Sequence, residues 1–215
     1  MGLKLFHITE FAQSMVSPAS QREAYHPAWV VLLGSLWLAL AGNLPLWREL
    51  ARLPLSAAQA GWIGLCFALL TTGVLMALLS AVNWRWLLKL ALIVLCWLAA
   101  LNSLLLWAQF GPLQPAWLLA PSQGLQPLWH LPVGVLLAGL GLLGVLPTLL
   151  LWRTRLQRVA APRMLPQNLL LFVLGTALVA LAWFAGHQTL LPLLQEQPRW
   201  LDLLTPLNTL LSLRP

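Results

Sequence analysis

The sequence predicts an all-α membrane protein with five transmembrane helices, N-terminus inside and C-terminus outside. Three observations carry this. Five Leu-rich runs, each 19 to 23 residues long, match the roughly 20 residues that one bilayer crossing requires. The chain of 215 residues is 60% hydrophobic and only 8% charged, with a mean hydropathy of +0.82, whereas soluble domains carry about 25% charged residues. The basic residues cluster in the gaps between runs and are unequally shared between the two sides. A soluble enzyme and a disordered chain are both excluded, since a disordered chain is poor in apolar residues and rich in charge.

Residues 1–27 are polar, contain Glu10 and Glu23, and read as an inside tail. No short apolar stretch there ends in a small-residue cleavage site, so the first run is expected to act as an uncleaved anchor. The five predicted helices span about 28–46, 60–82, 87–108, 133–152 and 167–186. They must be helical, because backbone groups in lipid need partners within the segment. With the N-terminus inside, the inner segments hold Lys4, Arg22, Arg85, Lys89, Arg153, Arg155, Arg158 and Arg163. The outer ones hold only Arg48, Arg52, Arg199 and Arg214. That imbalance sets the orientation.

The outer loop 109–132 has no charged residue and contains Pro112, Pro115, Pro121 and Pro127, which preclude a long regular helix. Its Trp117 and Trp129 suit the membrane interface, and most of the 13 tryptophans lie near run ends. Residues 187–215 read as an outer amphipathic tail broken by Pro192, Pro198 and Pro206.

The net charge of +7 follows from positive-inside topology and does not point to nucleic acid. Cys66 and Cys96 lie inside apolar runs, where free cysteine behaves as a small hydrophobe. Gly139, Gly141 and Gly144 spell G-x-G-x-x-G, but no strand precedes them. With Gly134 and Ala138 they form a small-residue face for helix packing. No histidine has a partner at metal-ligand spacing, and no serine has the context of an activated nucleophile. No catalytic residue and no metal ligand is assigned. Arg48 and Arg52, just beyond the first run, present two guanidinium forks suited to a lipid phosphate. Asn43, Asn102, Ser103, Thr71 and Thr72 are polar groups within apolar runs and are expected to bond across helices.

The order of these features resembles the N-terminal membrane domain of the lipid A phosphoethanolamine transferases of Gram-negative bacteria. The resemblance runs over residues 28–215. It rests on Asn43, Trp47, Arg48, Leu53 and Pro54 after the first run, on the turn Asn83 to Trp86, and on the long outer loop. It rests also on the basic inner loop and on Pro206-Leu207-Asn208. The resemblance implies a bacterial inner-membrane protein with cytoplasmic N-terminus and periplasmic C-terminus. In that family a periplasmic zinc-binding domain with a threonine nucleophile moves phosphoethanolamine from phosphatidylethanolamine to lipid A. That domain, and its zinc, are expected to lie outside these 215 residues. The family's loop places an Asp, a Met, an Asn, a Thr and a Glu where this chain has Gly111, Gln114, Trp117, Ser122 and Leu125. Of these, Ser122 keeps comparable chemistry.

The resulting expectation is a membrane-anchor and lipid-access domain acting in lipopolysaccharide modification. Its partners would be membrane lipids, phosphatidylethanolamine or lipid A among them, and a periplasmic catalytic domain or other membrane protein. Asn43, Arg48, Arg52, Ser122 and Gln188 are the candidate head-group contacts. The alternative is a non-catalytic membrane partner or regulatory subunit on the same fold. A transporter would need paired polar residues at mid-membrane or an internal repeat, and neither is found.

Overall fold

The computed structural model describes residues 24–82, 85–113, 126–157, 161–196 and 199–208. Its elements are α1 (Pro27–Leu40), α2 (Leu44–Arg52), α3 (Ala57–Ser80) and α4 (Arg85–Trp107), then a short 3-10 turn at Gln126–His130. These are followed by α5 (Val133–Arg153), α6 (Ala161–Glu196) and the one-turn α7 (Arg199–Asp202). Within them, four helices are long and apolar enough to cross a membrane. The pair α1 and α2, bent by 41°, makes a fifth if it forms one span. The chain is therefore an all-α, multi-pass membrane protein by helix composition.

The first apolar run is not one straight helix. Pro45 falls in the first turn of α2. Its ring has no N–H and would clash with a carbonyl one turn back, so α1 stops at Leu40. The turn leaves carbonyls that need partners, and side chains supply them. The Asn43 amide donates to Ala39 O at 2.8 Å, and the Trp47 indole N–H to Leu40 O at 2.7 Å. The Ser103 and Thr205 hydroxyls both donate to Gly42 O. His26 caps the start of α1 by accepting from Ala28 N at 3.2 Å.

α3 begins at Ala57, ahead of its apolar run, because Ser56 and Gln59 form a capping box. The helix α5 widens into a π-helical turn at Leu140–Val145 just before Pro147. A proline inside a helix removes one bond and crowds the preceding turn, and the wider turn accommodates both effects. The 36 residues of α6, at about 1.5 Å each, outrun a hydrocarbon core of about 30 Å. The outer tail expected from residue 187 is thus partly a continuation of α6. Pro192 does not stop the helix, because the face around it carries buried Leu190 and the core-packing Leu193 and Leu194.

The helices lie in the contact order α6, α3, α1, α4, α5. The α3–α6 pair is the most intimate. A Cβ on Gly73 would sit 2.6 Å from Gly175 O, and one on Gly175 would sit 2.7 Å from Gly73 O, so the two backbones touch. In lipid, where apolar burial drives association little, such close approach supplies dispersion contacts. The predicted small-residue face on α5 is half correct. Gly139 lies against Leu104 and Gly144 against Trp97, while Gly134 and Gly141 face open space.

Two cores result. The larger joins α1, α3, α4 and α6 to the C-terminal Trp200, Leu204 and Leu207. The smaller joins Leu104, Leu105, Leu113 and Leu128 to α5. The exposed Leu, Val, Phe and Trp of α5 and α6 are the ordinary surface of helices bounded by lipid.

Candidate functional site

The ends of α2, α4 and α6, with the segment after α6, meet at one end of the bundle. A polar network of side chains welds them. Asn43 Oδ1 accepts from Thr205 N at 2.7 Å, while its amide is bonded to α1. Asn102 Nδ2 donates to Asn208 Oδ1 at 2.6 Å. Asn102 Oδ1 accepts from Leu113 N at 2.9 Å, and Asn208 Nδ2 donates to Asp202 O. Asn43, Asn102 and Thr205 are all buried. The expected bonding across helices therefore holds for Asn43, Asn102 and Ser103. Thr71 instead donates to Phe67 O within its own helix at 2.8 Å.

The network folds the C-terminal segment into the bundle instead of laying it along the surface. Trp200 is 3% exposed and stacks on Phe67, with ring centroids 6.2 Å apart and planes at 15°.

Two cavities open at this end. The first, about 500 Å³, is lined by Arg48, Glu49, Arg52, Gln109, Gly111 and Asp202, with Leu53, Leu106 and Trp200 among its apolar residues. The second, about 640 Å³, is mainly apolar and is lined by Leu55, Trp62, Ile63, Gln188, Pro192 and Leu193. Leu53 and Trp200 line both cavities, so they form the partition. A charged chamber thus adjoins a greasy one.

The charged chamber is balanced in sign. Glu49 Oε1 accepts from Arg52 Nη1 at 2.9 Å and lies 3.5 Å from Arg48 Nε. Arg48 is committed to structure: Nη1 donates to Trp107 O at 3.2 Å, and the guanidinium carbon sits 4.6 Å from the Trp107 ring centre, a cation–π contact. Arg52 has its side chain 55% exposed, which leaves it the more available cation. The chain leaves α4 through a Schellman closure: Phe110 N bonds to Leu105 O and Gln109 N to Leu106 O, both at 3.1 Å. This puts Gln109 at φ 63° and Gly111 at φ 94°. Glycine takes such a conformation freely; glutamine does not. The turn delivers Gln109 to the cavity wall.

Of the five residues expected to touch a head group, Arg48 and Arg52 line the charged chamber and Gln188 the apolar one. Asn43 is turned into the polar network. Ser122 lies outside the described residues, as do Gln114, Trp117 and Leu125. Sequence reasoning missed Gln109, Trp200 and Asp202 as cavity residues. Trp200 and Asp202 are brought to the site by the folded-back segment, which no local pattern announces. Among the described residues no three His, Cys, Asp or Glu come together as metal ligands.

Residues 132–214 match the family model described as phosphoethanolamine transferase EptA/EptB, through its N-terminal membrane domain. No curated protein matches the chain, and no solved structure does.

Proposed function

We propose that this chain, whose residues 132–214 match the phosphoethanolamine transferase EptA/EptB family model, is the membrane-anchor and lipid-access domain of a protein of that kind. It would sit in the bacterial inner membrane with the two-chambered end at the periplasmic face and serve lipid A modification. The observation that carries this reading is the pairing of a charged chamber with an apolar one across Leu53 and Trp200. A phospholipid has the same division. A zwitterionic head group with a phosphate and an ammonium needs both signs, and Arg52 and Asp202 supply them. Asp202 would stand in for the acid that the family carries at the place of Leu125. The acyl chains would lie against Trp62, Ile63, Gln188 and Leu193.

The test is native mass spectrometry of the purified chain titrated with phosphatidylethanolamine. Arg52→Gln should weaken retention about tenfold, the scale of a charge-assisted hydrogen bond at about 1.5–3 kcal/mol. Asp202→Asn should act in the same direction. Undiminished retention in both variants would refute the assignment.

A second reading, a non-catalytic partner or regulatory subunit on this fold, is favoured by the loss of the family's polar residues at Gly111, Trp117 and Leu125. It predicts co-purification with a membrane complex and no lipid retained at the chamber.

A further inference from the structure

The charged chamber contains a side chain to which the lipid reading gives no role. Gln109 lines it together with Arg48, Glu49, Arg52 and Asp202, and it stands at φ 63°. This is the position just past the end of α4. Glycine is its usual occupant, because a Cβ there crowds the backbone. Two residues on, Gly111 at φ 94° meets the same demand with no side chain. At 109 the chain carries a long amide instead.

The conformation is fixed from both sides. Arg48 Nη1 donates to Trp107 O at 3.2 Å, which ties the last turn of α4 to α2. Beyond the turn, Leu113 N donates to Asn102 Oδ1 at 2.9 Å. Between them, the two closing bonds use only the backbone N–H groups of Gln109 and Phe110. A relaxation of φ to negative values would unmake them. The turn therefore asks for a backbone at 109, and glycine would supply it with less strain. Residues held in sparsely populated conformations by their surroundings cluster at ligand clamps.

The chemistry of the side chain fits that use. A carboxamide offers two N–H donors and an acceptor oxygen and carries no charge to upset the balance among Arg48, Glu49 and Arg52. The bond from Arg48 to Trp107 O sets the end of α4 beside the basic face of α2.

We propose that Gln109 is a head-group contact, its side-chain amide donating to a phosphate oxygen of the zwitterionic lipid held between Arg52 and Asp202. This rests on the lipid reading of the chamber and adds to it a residue for which the fold accepts a strained backbone.

The experiment is native mass spectrometry of the full chain with phosphatidylethanolamine, read beside the thermal midpoint in detergent. Gln109→Gly should weaken retention about fivefold, the scale of one neutral hydrogen bond. Its midpoint should equal or exceed that of the wild type, because glycine takes a positive φ freely. Retention and stability then move apart, which a structural role for the side chain would not produce. Wild-type retention by Gln109→Gly, where Arg52→Gln loses it, overturns the proposal and leaves the lipid reading standing. A loss of retention that tracks a lowered midpoint also overturns it. Failure of the wild type to retain the lipid removes both.

Discussion

Asn43 shows how one side chain can hold a bent helix together. It sits where a helix has just been broken by Pro45, and it satisfies a carbonyl of α1 and the backbone N–H of Thr205 at once. Replacing Asn43 by Ala strands a buried donor and a buried acceptor. Leaving such a group unsatisfied costs about 1–3 kcal/mol. The expected outcome is a lower thermal midpoint in detergent, together with faster proteolysis beyond Asp202 as the C-terminal segment loosens. An unchanged midpoint would show that Ser103 and Gly42 hold the turn without it. The sequence drew attention to Asn43 as an intramembrane polar residue and offered two roles for it, bonding across helices and contact with a lipid head group. Which of them the side chain takes is decided by Thr205 beside it.

At the scale of elements, the α3–α6 pair depends on close approach at Gly73 and Gly175, which sequence reasoning did not single out. Gly73 stands four residues before Ala77 as a small-xxx-small pair, and a Cβ on Gly175 would meet Ala77 as well as Gly73 O. The longer small-residue run, Gly134 to Gly144, uses only two of its glycines. Gly73→Ala places a methyl within 3 Å of the Gly175 carbonyl and of Val179. Backbone atoms cannot step aside as a flexible side chain does, so the helices must separate. Overpacking of this kind costs about 1–3 kcal/mol. The same change at Gly141, which faces open space, should be neutral, and the difference in thermal midpoint between the two variants checks the pairing. Hydropathy located the helices. Their ends were set by finer chemistry: the capping box at Ser56 extended α3 backwards, Pro45 split the first run, and the buried face around Leu190 carried α6 past Pro192.

At the scale of the whole molecule, two electrostatically different ends are joined by an apolar bundle. Among the described residues, the two-chambered end carries both signs and the other end cations only, an asymmetry that positive-inside insertion favours. In a variant with Cys66 and Cys96 replaced by Ala, a cysteine at Gln157 should react with a membrane-impermeant maleimide only after the inner membrane is opened. A cysteine at Gln188 should react in intact spheroplasts. The reverse pattern would invert the proposed topology and move the two-chambered end to the cytoplasm.

Helix type, the approximate places of the long helices and the membrane setting were determined by the sequence alone, because hydropathy over about 20 residues and the impossibility of unpaired backbone in lipid leave no other solution. The cationic residues near Arg48 and Arg52 were legible for the same reason, since charges stand out where so few exist. Only the tertiary structure decided that α3 and α6 touch at glycine, that the C-terminal segment returns into the bundle, and that Trp200 and Asp202 complete the cavities. Those outcomes depend on contacts between residues far apart in the chain, such as Thr205 with Asn43 and Asn208 with Asn102. A local pattern carries no information about which distant partner will satisfy a buried polar group.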